Sequence, residues 1–204
     1  MRLARRSILA TAAVLALGLA FAQPAAAVSP DVAAQFIRKL GAEAISVLAD
    51  KSKTQADREA TFQKLFVQSF DIDEISQFVL GRYWRTASEA QRAEYQKLFQ
   101  TFIVSSYAAK LGQYSGEKFT VREGRVDDGD VVVSSQVERT DGGPPVRVDW
   151  RLKGPDNAPK IIDVVVEGVS MRLTHRSEFA TVIQNNGGNV DALLNALRKR
   201  SGQG

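Results

Sequence analysis

The sequence predicts an α+β fold in which N-terminal helices, a four-stranded antiparallel meander and C-terminal helices follow one another. Apolar residues recur every three or four positions from Val32 to Leu111, which is the spacing of amphipathic helices. Between Lys118 and Met171, apolar runs are separated by turn-forming residues and include alternating segments, as in half-buried strands. Helical spacing returns after Thr174. Helices and strands that are grouped in this way within one compact length indicate α+β.

The N-terminus has the features of a targeting segment. Three arginines among the first six residues precede an uncharged, mostly apolar run at 8–22, and Ala25-Ala26-Ala27 offers a small-residue cleavage site. That run is too short to span a bilayer comfortably. We therefore predict a signal peptide over residues 1–27 and an exported protein, with an uncleaved anchor as the alternative. Export by the Sec route is expected, and Arg5-Arg6 leaves a twin-arginine route open.

The composition of the remaining chain limits its function. Residues 28–204 form a predicted single domain of 177 residues, with 24 basic and 23 acidic side chains, so the net charge is +1. Such a near-neutral chain is not a nucleic-acid binder by charge. The absence of cysteine excludes disulfides, thiol catalysis and cysteine metal sites.

Four helices are predicted before the strands. Ser29-Pro30 begins the first, Thr54 begins the second with a capping box to Asp57, and Gly81 ends a third that carries Ile72 and Val79. Thr86-x-x-Glu89 is predicted to open the fourth and longest helix. Its apolar stripe is unusually aromatic and suits either a core face or a cavity wall: Tyr95, Leu98, Phe99, Phe102, Ile103, Tyr107 and Leu111.

The strands follow from alternation and from turn residues. They are predicted at Lys118–Val126, Val131–Glu138, Val146–Lys153 and Ile161–Met171, and Asp127-Asp128-Gly129 forms the first hairpin turn. The third strand alternates most regularly, which predicts a sheet with one apolar and one charged face. Two helices, Thr174–Gln184 and Asn189–Arg200, end the chain.

No catalytic or metal-binding constellation stands out. His175 is the only histidine, and one histidine without cysteine does not make a zinc site. Asp71, Asp73 and Glu74 lack the glycine and terminal glutamate of a twelve-residue calcium loop, and acids are common in the first turn of a helix. We therefore predict no enzyme, no cofactor and no metal.

Two arginines flank two aromatic residues in the segment Arg82-Tyr83-Trp84-Arg85, just after the glycine that ends a helix. In the structural interpretation, Trp84 anchors the joint while the arginines cap carbonyls or pair with acids. In the functional interpretation, Arg82 and Arg85 face a lipid phosphate or an acidic partner surface.

Several segments, in this order and spacing, resemble the MlaC family, the soluble periplasmic phospholipid carriers that are also called toluene-tolerance proteins. The resemblance covers nearly the whole chain after the signal peptide. Thr174-His175 departs from the family pattern. The segments that carry the resemblance are Phe70-Asp71, Leu80-Gly81, Trp84-Arg85, Tyr107-Ala108, Leu111, Tyr114-x-Gly116, Ile162-Asp163-Val164, Glu167 to Met171, Arg176 and Phe179.

The resemblance implies a monomeric periplasmic carrier that takes phospholipid between the outer and inner membranes. Its partners would be an outer-membrane lipoprotein complex and the substrate-binding subunit of an inner-membrane ABC transporter. Phospholipid would be a bound ligand, not a cofactor. The residues expected to form the walls of its apolar cavity are Phe102, Ile103, Tyr107, Val148, Trp150, Ile162, Val164, Val166, Val169 and Met171.

Three alternatives stay open at this point. A related branch of the family is associated with hopanoids, so the ligand could be a polycyclic lipid. A cone-shaped α+β fold could host an isomerase or dehydratase, although the inward strand positions are almost all Val, Ile, Leu or Trp. A packed interaction module without a cavity is the third alternative.

Overall fold

The computed structural model describes residues 27–111 and 115–200 and confirms the α+β fold class. The predicted signal peptide and Tyr114 lie outside the described residues, apart from Ala27. The elements, in chain order, are α1 (Pro30–Ala49), α2 (Gln55–Ser69), α3 (Ile72–Leu80), α4 (Arg82–Thr86), α5 (Glu89–Leu111), β1 (Lys118–Asp127), β2 (Asp130–Glu138), β3 (Val146–Lys153), β4 (Lys160–Val166), β5 (Val169–Ser170), α6 (Met171–Asn185) and α7 (Val190–Arg200).

The sheet is an antiparallel meander in the order β1-β2-β3-β4-β5, so it has one strand more than predicted. The last predicted strand is divided by a tight turn at Glu167 and Gly168, which adopt φ values of 50° and 82°. The Ser170 side chain then accepts a hydrogen bond from the Leu173 N–H and caps α6. That helix consequently begins at Met171, three residues before the predicted start.

Hydrogen bonds of side chains define most helix starts. Thr54 and Asp71 accept bonds from the backbone N–H groups three residues ahead, which begin α2 and α3. The start predicted for α5 is wrong. Ser88 and Gln91 exchange the two capping bonds, at 3.2 and 3.0 Å, whereas Thr86 donates to the Tyr83 carbonyl at the end of α4.

Two hydrophobic clusters form the interior. The first lies among α2, α3, α5, α6 and α7 and includes Tyr95, Phe99 and Phe179. The second packs α1 against the sheet, through buried residues such as Ile37 and Leu152. Phe70 packs against both clusters. The two clusters meet through partly buried residues, which leaves room for a cavity between them.

The N-terminal end of α1 is held tightly to the sheet. The Ser29 N–H donates to the Asp156 carboxylate at 2.6 Å. At Gly124, beside a register shift in β1, a Cβ atom would lie only 2.5 Å from the Pro30 carbonyl oxygen. Only glycine allows this approach, so the position of α1 over the sheet is set at its first turn. Within residues 27–111 and 115–200, no helix combines the length and apolar character needed to cross a bilayer.

Candidate functional site

An apolar cavity of about 300 Å³ lies between the two hydrophobic clusters. Helices α1, α2, α3, α5 and α6 and the sheet all contribute to its walls. Sixteen of the twenty lining residues are apolar or glycine, and four are polar or charged. The lining consists of Ile37, Leu40, Gly41, Ala44, Phe62, Leu65, Phe66, Phe70, Ile75, Ile103, Tyr107, Phe119, Trp150, Ile162, Asp163, Val164, Val166, Met171, Arg172 and His175.

Aromatic rings on the helical side stack on one another. The Phe66 and Phe70 rings are nearly parallel, with centroids 4.0 Å apart, and the Tyr107 ring is stacked 6.5 Å from Phe66. Opposite them, β3 and β4 present Trp150 and Val164, which are paired across the strands. The helices and the sheet therefore both present apolar side chains to the cavity.

Seven of the ten predicted wall residues line the cavity: Ile103, Tyr107, Trp150, Ile162, Val164, Val166 and Met171. The structure places the other three elsewhere. Phe102 precedes Ile103 on α5 and packs beside the rings of Phe179 and His175, because adjacent residues on a helix face different directions. Val148 is buried without reaching the lining, and Val169 is exposed on the short edge strand β5.

The polar end of the cavity is organised by Asp163, which sequence reasoning did not select as a site residue. The side chain is almost fully buried and accepts hydrogen bonds from Ser170 Oγ at 2.6 Å and from the Val164 and Arg172 N–H groups at 2.8 and 3.2 Å. The Arg172 Nε atom lies 3.4 Å from its Oδ2. A lone acid inside the apolar run from Ile161 to Val166 is the signal that could have revealed it.

Tyr107 and His175 meet at the same end. The Tyr107 hydroxyl lies 3.5 Å from His175 Nε2, and His175 Nδ1 lies 3.3 Å from a Glu178 carboxylate oxygen. Burial raises the pKa of Tyr107, and the charges of Asp163 and Glu178 raise it further. In the part of the chain that the structure describes, no three His, Cys, Asp or Glu side chains are grouped to hold a metal. The arrangement suits an apolar ligand with one polar end.

The raised pKa of Tyr107 predicts a change in alkaline stability. The folded state favours the neutral phenol. The contribution of Tyr107 to the free energy of unfolding is therefore complete below the ordinary pKa of 10.0, and it is lost as pH rises through the higher folded pKa. Tyr107→Phe has no proton to lose, and we expect it to lose less stability than the wild type above about pH 10. Urea unfolding at neutral and alkaline pH measures this. The comparison at neutral pH isolates the packing effect of the missing hydroxyl. If both proteins lost the same unfolding free energy between neutral and alkaline pH, the prediction would be contradicted.

Arg82 and Arg85 do not line the cavity. Both are exposed on the short helix α4. The Arg82 guanidinium lies 4.9 Å from the Tyr83 ring centroid, and its Nη2 donates to the Tyr83 hydroxyl at 2.8 Å. The Arg85 carbonyl accepts a bond from Arg92 at 3.3 Å. Their predicted contact with a headgroup or partner stays a prediction, and a headgroup would have to meet them outside the cavity lining.

Comparison with known proteins gives a family match over most of the chain. The family model described as MlaC protein matches residues 38–199. Toluene tolerance protein ttg2D of Pseudomonas putida is 26% identical over 125 residues, which cover 61% of this chain and 58% of that protein. The intermembrane phospholipid transport system binding protein MlaC of Haemophilus influenzae is 25% identical over 129 residues, covering 61% and 59%. The matched region therefore spans less than two thirds of these curated relatives.

A solved structure is similar over more of its length. The phospholipid-binding protein from Ralstonia solanacearum, in complex with a phospholipid, superposes with a TM-score of 0.72 and is 25% identical. The match covers 84% of this chain and 97% of that chain.

Proposed function

The chain belongs to the MlaC family, and from this premise we propose that it binds phospholipid by enclosing acyl chain in the cavity between α1, α2, α5 and the sheet. The apolar lining is the observation that carries the proposal. An acyl chain of sixteen carbons costs about 12 kcal/mol to expose to water, at ~0.8 kcal/mol per methylene. Apolar walls offset that cost, whereas hydrogen bonds cannot, because the chain has no donors or acceptors.

The polar end of the cavity supports the same proposal. Asp163 accepts three hydrogen bonds and lies 3.4 Å from Arg172 Nε, so the two opposite charges compensate each other without a charged ligand. A lipid headgroup can therefore remain in water while the acyl chains occupy the apolar part. The site functions by binding, and the groups that line it have no role in bond breaking.

We also propose the biological setting that the family suggests. The protein would act in the periplasm after removal of residues 1–27, as a single domain that carries lipid between the outer and inner membranes. The proposed partners are an outer-membrane lipoprotein complex and the substrate-binding subunit of an inner-membrane ABC transporter. Such partners supply and remove the lipid, because an enclosed acyl chain cannot leave quickly into water.

Native mass spectrometry of the purified protein, followed by organic extraction, tests lipid binding. We expect about one diacyl phospholipid per chain. Uptake of labelled phospholipid from vesicles by delipidated protein provides the second measurement. A polycyclic lipid in place of phospholipid would identify the hopanoid alternative. Recovery of no lipid, together with no uptake, would defeat the carrier proposal.

Reversal of two exposed charges tests the proposed partner surface. We expect Arg82→Glu with Arg85→Glu to shift the melting temperature by only a few degrees, because exposed charges contribute little to folding. Lipid transfer to or from membrane-embedded partners should become slower, most strongly at low salt, where charges are least screened. Arg38→Glu with Lys64→Glu makes a matched control at exposed positions on α1 and α2. A double variant that unfolds easily but transfers lipid normally would assign both arginines a structural role.

A further inference from the structure

The ring of Phe119 occupies a space on α1 that exists only because residue 41 is glycine. A Cβ atom at Gly41 would lie 2.5 Å from Phe119 Cδ1, so any larger residue at position 41 would force the ring to move. Gly41 lies in the interior of a twenty-residue helix, where glycine costs about 1 kcal/mol relative to alanine. This glycine lets the ring approach the helix backbone.

Phe119 also bounds the cavity and contacts the indole of Trp150. Gly41, Phe119 and Trp150 all line the cavity, and the rings of Phe119 and Trp150 meet edge to face at 6.3 Å. The ring therefore fills the space between the Gly41 backbone and the indole. Removal of the Phe119 ring would add this space to the cavity, because Gly41 has no side chain that could fill it.

The surrounding structure limits how far this space can collapse. The first turn of α1 is held to the sheet by the close approach of Pro30 to Gly124 and by the hydrogen bond from Ser29 to Asp156. Phe119 lies on β1, and the residues before and after it, Lys118 and Thr120, are both paired with β2. Helix and strand are thus separately fixed, and a shorter side chain at position 119 would leave open volume.

We propose that Phe119, seated against Gly41, limits the length of the acyl chain that the cavity accepts. This inference rests on the proposed function and names the structural feature that selects its substrate. Chains that fit the cavity bounded by the ring are held completely. The terminal methylenes of longer chains have no apolar surface to cover them, and such chains bind less well.

Competition among chain lengths tests the proposal. Delipidated protein is incubated with vesicles that contain equal amounts of diacyl phosphatidylethanolamines with chains of fourteen to twenty carbons, and the bound lipids are measured by mass spectrometry. For Phe119→Ala we expect the bound population to shift to longer chains. For each additional methylene that becomes buried, the ratio of the longer to the shorter bound lipid should rise about fourfold above the ratio in the wild type. Phe119→Leu should shift the ratio in the same direction by less, and it provides the test if the alanine variant does not fold.

Phe36→Ala is the matched control, because Phe36 is a partly buried phenylalanine of the same α1 and sheet cluster but does not line the cavity. Its chain-length ratio should equal that of the wild type. Adding Gly41→Leu to Phe119→Ala should restore the wild-type ratio by filling the vacated space, which general loosening of the fold would not do.

Two results would overturn the inference while leaving lipid binding intact. One is an unchanged ratio in folded Phe119→Ala and Phe119→Leu, and the other is an equal shift in Phe36→Ala. If the wild-type protein takes up no lipid at all, the proposed function fails first, and the inference fails with it.

Discussion

Val164→Asp is expected to empty the cavity of lipid while the protein stays folded. Val164 is half-buried on β4 and lines the cavity opposite the aromatic helices. A carboxylate among acyl chains is costly because no partner compensates its charge. In an open cavity, however, water can enter and solvate the charge once the lipid has left. We expect bound lipid to fall below about a tenth of the wild-type amount, which corresponds to a loss of more than about 1.4 kcal/mol in binding.

Two further valines of the sheet provide controls. Val133 is 0% exposed in the α1 and sheet cluster and does not line the cavity, so Val133→Asp should unfold the protein. Val126 is 67% exposed at the end of β1, and Val126→Asp should change neither stability nor lipid content. Circular dichroism, melting temperature and lipid content are measured together. Delipidated wild type is the stability reference, because bound ligand itself stabilises the folded state. Full lipid content in folded Val164→Asp would show that this side chain does not face the ligand.

Asp163→Ala should be the most destabilising substitution at the polar end of the cavity. The change removes the acceptor of three hydrogen bonds and leaves Arg172, whose side chain is only 19% exposed, without its carboxylate. Removal of one partner from a buried ion pair typically costs about 3–5 kcal/mol. For a protein of this size, that loss corresponds to a fall of roughly 6–20 °C in melting temperature.

The exposed ion pair between Lys39 and Glu43 on α1 is the matched comparison, with a separation of 3.8 Å. Glu43→Ala should cost less than about 0.5 kcal/mol, because exposed pairs at this helical spacing contribute little. Replacing both Asp163 and Arg172 with apolar residues should recover part of the loss, since no unpaired charge is left in the interior. A melting temperature for Asp163→Ala close to that of the wild type would contradict a structural role for this carboxylate.

Much of the local structure was predictable from short segments of sequence. The bounds of β3 agree with the prediction at both ends, and Thr54 caps α2 as its spacing to Asp57 predicts. The fold class and the family resemblance are confirmed as well. The errors in the bounds of helices and strands arose where two nearby residues or segments could each begin or end an element. Ser88 replaced Thr86 as the cap of α5, and the turn at Glu167 divided a long apolar strand.

The sequence by itself determined the succession of helices, antiparallel sheet and helices, the absence of cysteine chemistry and the family. Helical periodicity, caps and turns depend on residues within a few positions of one another, so they can be read along the chain. Tertiary structure decided which neighbour faces the cavity, as with Ile103 and Phe102, and it brought Tyr107, Asp163 and His175 to one end of it. It also set Phe119 against Gly41. A cavity is the space left when surfaces from distant segments pack incompletely, and no local pattern records how closely such surfaces meet.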